Sequence, residues 1–135
     1  MDRILEAGSP GGEEGSDWLA DRGVSSALAA EIEAVRSYRA RAKAANTLKA
    51  YDSDWRRFAD WCDSRGVDAL PARPEAVATF LASLAMAGKA DSTVVRHAAA
   101  IAWRHRLGGE VPPQQRDGRQ VIADTLAGIR REQRA

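Results

Sequence analysis

The sequence predicts an all-α domain, a compact bundle of four to five helices behind an acidic N-terminal tail. Three observations carry that expectation. Apolar residues recur at steps of three and four through five segments between residues 25 and 133, and no stretch alternates apolar with polar long enough to make a strand. Much of the 44% hydrophobic content is alanine, the strongest helix former and small enough to let helices approach closely. Clusters of Gly, Pro and Ser punctuate the chain between the periodic segments. At 135 residues there is room for one domain.

The elements follow in order. Residues 1–23 contain "GSPGGEEGS", too polar to offset chain entropy by burial, and are expected to be disordered, with Trp18 and Leu19 as groups that could dock on a partner surface. The helical domain then spans 24–135. Leu28, Ile32 and Val35 mark a first helix over about 25–40, with Ser25 or Ser26 as its cap. "RARAKAAN" reads as a basic connector. Asn46 caps a second helix over 46–65, whose stripe is Leu48, Tyr51, Trp55, Phe58 and Cys62 and which Gly66 ends. Pro74 and Glu75 suit the first turn of a third helix over 74–87, with Val77, Phe80, Leu81 and Leu84 inward. Asp91 or Ser92 caps a fourth over 92–107. Its inner face is Val94, Ala98, Ile101, Ala102 and His105; Arg96, His97, Ala100 and Arg104 are expected to project the other way. "GGEVPPQQRDG" is a loop, and Val121, Ile122, Leu126 and Ile129 define a last helix over 119–133.

Charge is unevenly spread. The net charge is +1, but residues 1–23 hold six acids against two bases, so the remainder carries +5, nearly all of its cations being arginine. Such an excess permits an anionic partner without demanding one; a solvated surface is the plain alternative. The single cysteine, Cys62, allows no internal disulfide and fits a reduced cytoplasmic setting, with the thiol as a small core group. No run approaches a membrane span and no secretory leader is visible, so no membrane partner is expected.

Catalytic and ligand sets are missing. His97 and His105 have no acid or cysteine at a metal spacing, so neither a metal site nor a cofactor is expected. No phosphate-binding glycine loop occurs. The carboxylate pairs Asp52/Asp54 and Asp60/Asp63 read as surface ion-pair partners of nearby arginines.

Four stretches taken together resemble a known family. "TLKAYDSDWRRFADWC", "LPARPEAVATFLASLAMAG", "DSTVVRHAAAIAWRHRLGG" and "LAGIRRE", in that order, are similar to the N-terminal core-binding (SAM-like) domain of the tyrosine recombinases, the phage integrase family, over roughly residues 25–133. The resemblance implies a domain that grips duplex recombination-site DNA while a separate C-terminal domain cuts and rejoins strands through a tyrosine. That chemistry needs an His-x-x-Arg motif and a late tyrosine. His97 is followed by "AAA", His105 by "RLG", and the tyrosines are the early Tyr38 and Tyr51. The chain by itself is therefore expected not to be an enzyme, and to be a piece of a longer recombinase.

The resemblance also implies that the second and fourth helices face DNA. The residues so assigned are Asn46, Thr47, Lys49, Ala50, Ser53 and Arg57 on one, and Ser92, Thr93, Arg96, His97 and Arg104, with Arg106, on the other. Ser and Thr at helix starts offer donors to phosphate, Arg96 is placed to reach a base edge, and Lys49, Arg57, Arg104 and Arg106 suit phosphates. Plainer roles stand beside these: Thr47 and Ser92 as caps, Arg57 as a partner of Asp54 or Asp60, His97 as an idle surface group. The first and last helices are implied as contacts to neighbouring protomers, or they simply cover the core. A helical protein-interaction domain, or a stand-alone regulator that occupies recombination sites, are the alternative functions.

Overall fold

A computed structural model describes residues 25–134. The tail expected over residues 1–23, with Trp18 and Leu19, lies outside the described residues. The order of elements is α1 (Ser26–Arg65), α2 (Pro74–Met86), α3 (Asp91–Leu107), a short 3-10 turn (Pro113–Gln115) and α4 (Gln120–Arg134); no strand occurs among the described residues. The all-α expectation holds.

The first two expected helices are one. α1 runs through the expected connector without a break, and Asn46 sits inside it instead of capping a new helix. The reason is local: "RARAKAA" is built from alanine, arginine and lysine, all strong helix formers, with no glycine or proline to stop propagation. Ser25 caps α1 as expected, its Oγ accepting from the Leu28 N–H at 3.2 Å. At the other end Gly66, at φ 72°, turns the chain out of the helix while the Val67 N–H reaches back to the Cys62 carbonyl at 3.0 Å.

The chain divides into two compact units at Asn46/Thr47. In the first, the opening part of α1 keeps Leu28 and Ile32 half-buried, while Val35 and Tyr38 are exposed. Arg41 lies over the Tyr38 ring at 4.8 Å and donates to Ser37 Oγ at 3.1 Å.

The second unit holds the core. Phe58 and Cys62 from α1 meet Val77, Phe80, Leu81 and Leu84 from α2, Val94, Ala98 and Ile101 from α3, and Ile122 from α4. Aromatic edges fix the α1–α2 contact: Phe58 and Phe80 lie 5.1 Å apart at 64°, and Trp61 and Phe80 5.5 Å apart at 62°. Leu48, expected on this stripe, is exposed. Pro74 opens α2, with Arg73 at the N-cap position in extended conformation. α3 starts at Asp91 after Ala90, with no side-chain cap, so neither Asp91 nor Ser92 caps it. Instead Gln133 of α4 ties this corner, accepting from the Asp91 N–H at 2.7 Å and donating to the Lys89 carbonyl at 2.9 Å. In α4, Ile122 is buried and Leu126 and Ile129 pack on the core, whereas Val121 points outward.

His105 stitches the loop before α2 to α3. Its Nδ1 lies 2.8 Å from the Ile101 carbonyl, which can only accept, so Nδ1 carries the proton. Nε2 is then free to accept from the Ala72 N–H at 2.9 Å. Burial, the main cause, lowers the pKa of this imidazole below 6.5, opposed by its bond to the Ile101 carbonyl.

Candidate nucleic-acid interface

The polar faces of α1 and α3 meet in the second unit. Three side chains expected on the outside are inside. Ala100 and His97 are both fully buried, and His97 is ringed by polar partners rather than idle. Asp54, expected at the surface beside Asp52, is 2% exposed. Sequence position explains the two polar ones, Asp54 and His97. Asp54 falls three residues after Tyr51 and four before Phe58, and His97 falls three after Val94 and four before Ile101, so each sits within an apolar stripe. Asp52 does make the local surface pair, with Arg56; Asp54 does not.

The partner of Asp54 comes from α3. Arg96 Nε donates to Asp54 Oδ2 at 2.6 Å and Nη2 donates to Oδ1 at 3.0 Å, a bidentate charge-assisted pair. That bonding outweighs burial and raises the Arg96 pKa still further above its ordinary value. The two residues are 42 positions apart, so no helical spacing could have announced the pair. Arg96 keeps 45% of its side chain in solvent, whereas the Asp54 carboxylate that it pairs with is almost wholly buried.

A second arginine is fastened beside it. His97 Nδ1 lies 2.8 Å from the Thr93 carbonyl and so bears a proton. In the neutral ring Nε2 then accepts from Arg57 Nη1 at 3.1 Å. Nε2 is also 3.3 Å from Asp54 Oδ1, which places all four groups in one cluster. The expected pairing of Arg57 with Asp54 or Asp60 is replaced by this bond to His97.

Arg104 is held differently. Its guanidinium lies 5.8 Å from the Trp55 ring centre, and a Cβ placed on Gly108 would come within 3.0 Å of its Nη1. The remaining assigned residues have simpler settings. Thr47, Lys49, Ser53, Ser92 and Arg106 are exposed, and Ala50 and Thr93 are half-buried. Asn46 is exposed and closes the first unit, so the interface is drawn from the second unit alone. What results is a surface of anchored cations and hydroxyls over an aromatic core. No described helix is long and apolar enough to cross a membrane.

Fold and surface together define a small all-α domain with cationic side chains from two helices at its surface. Comparison with known proteins supplies the family. The family model described as "Phage integrase, N-terminal SAM-like domain" matches residues 32–103, and the chain belongs to that family. It is also 39% identical over 92 residues to a protein of Selenomonas ruminantium named "Integrase/recombinase xerD homolog". That match takes in 68% of this chain and 27% of the relative, so the chain spans about a quarter of the relative's length.

Proposed function

We propose that this domain binds duplex DNA at recombination sites, as the N-terminal grip of a site-specific tyrosine recombinase. Strand cleavage and rejoining fall, on this reading, to a separate catalytic domain. One observation carries the proposal. Arg57 and Arg96, from two different helices, are each held at the surface by a buried polar partner, with Lys49 and Ser53 on α1 and Ser92 on α3 exposed nearby in sequence. Cations held in place lose less side-chain entropy when they meet DNA, and those without a counter-charge gain most from its phosphate oxygens. Thr47, Ala50, Thr93, Arg104 and Arg106 complete the proposed contact set. The opening part of α1, where Val35 and Tyr38 are exposed, and α4, where Val121 is exposed, are the proposed contacts to neighbouring protomers.

The test is a titration with duplex DNA at two salt concentrations. Affinity falls as salt rises, and Lys49→Ala weakens binding and flattens the salt slope by about 0.9 for one lost phosphate contact. A folded domain that binds no duplex at low salt refutes the proposal.

A further inference from the structure

We infer that Arg96 reads a guanine and that Asp54 is the positioning residue that aims it. The inference rests on the DNA-binding reading and adds a base and a second residue to it. A guanidinium has five N–H donors in a rigid plane. Asp54 takes the Nε–H and one Nη2–H, leaving the opposite edge, Nη1 and Nη2, as two parallel donors. The carboxylate is almost wholly buried while the Arg96 side chain keeps 45% of its surface in solvent, so the edge that Asp54 does not occupy is the one left for a partner.

The pair's charge decides what that edge suits. Arg96 and Asp54 together are neutral, so a phosphate gains little from them; counterion release rewards uncompensated cations. Direction survives where charge does not. Two parallel donors match the O6 and N7 acceptors of guanine in the major groove, a neutral partner that needs geometry more than charge. Arg57 contrasts with it. Its direct partner is an imidazole nitrogen and not a carboxylate, which suits it to a phosphate.

The experiment is selection from a pool of duplexes with a randomised central segment, using the intact 135-residue chain. The chain is compared with its Asp54→Asn and Arg96→Lys variants, each checked for helicity, and with total affinity for unselected duplex measured in parallel. Arg96→Lys keeps a cation over the buried carboxylate and so protects the fold if Asp54→Asn does not fold. The expected result is enrichment of guanine at one position by the unchanged chain, lost by about tenfold in Arg96→Lys. Asp54→Asn loses the same preference while unselected-duplex affinity is kept or rises, because a negative charge has gone. Guanine preference retained in either folded variant overturns the inference. So does salt-sensitive binding by the unchanged chain with no guanine preference, which leaves the DNA-binding proposal standing. Absence of any binding by the unchanged chain defeats that proposal, and this one with it.

Discussion

Acidification tests the buried His105. Its ring is neutral in the folded chain, donating from Nδ1 and accepting at Nε2, so a proton can be added only by breaking the Ala72 bond. The folded-state pKa is lowered, by burial first, while the unfolded chain keeps about 6.5. The unfolded state therefore binds more protons below that value, and stability falls as pH drops through 6.5 toward the folded-state pKa. With the folded ring neutral throughout, the loss between pH 7 and pH 5 has a ceiling of about 2 kcal/mol. Urea denaturation followed by tryptophan fluorescence at the two pH values measures it. Replacing the ring by His105→Gln lowers stability at pH 7 and flattens the dependence. Equal stability of the unchanged chain at both pH values, or an undiminished slope in the variant, would refute the assignment of His105 as a neutral hydrogen-bonding bridge.

Three further outcomes follow from the packing. Phe58→Ala removes the ring shared by Trp55, Trp61 and Phe80 and should cost about 3–5 kcal/mol in the same urea assay. Arg96→Ala strands the buried Asp54 carboxylate; a fully buried broken pair costs about 3–5 kcal/mol, discounted here to about 2–3 because Arg96 is half in solvent, against about 0.5 or less for Lys49→Ala. Cys62 is fully enclosed and its thiol is pushed up to about 11, by burial first and then by Asp68, so iodoacetamide at pH 8 should label it only in denaturant.

Periodicity carried the fold a long way. The spacings through Phe58 and Cys62, Val77 to Leu84, and Val94 to Ile101 located the core, because a helix must bury the face its apolar residues share. Reading the basic connector as a break failed, since basic composition alone does not end a helix; it takes glycine, proline or a competing side chain to do that. The candidate site was harder to read. Exposed positions such as Lys49 and Ser53 follow from the helical wheel. Asp54 and His97 were assigned outward on polarity although their spacing placed them inward, and their partners lie 42 and 40 residues away. Long-range pairing of that kind leaves no mark on local pattern.

The bonds among Asp54, Arg57, Arg96 and His97 also make α1 and α3 a matched pair. Apolar faces tolerate a small roll or slide of one helix on another, because grease has no direction. A bidentate fork does not, and turning α3 by one residue carries Arg96 about 100° away from Asp54. The two helices therefore cannot be exchanged separately. A chimaera taking α3 from this chain and α1 from another lacking an acid at the position of Asp54 would carry an arginine with no counter-charge. Grafting this four-residue cluster onto a related scaffold requires moving both strips at once.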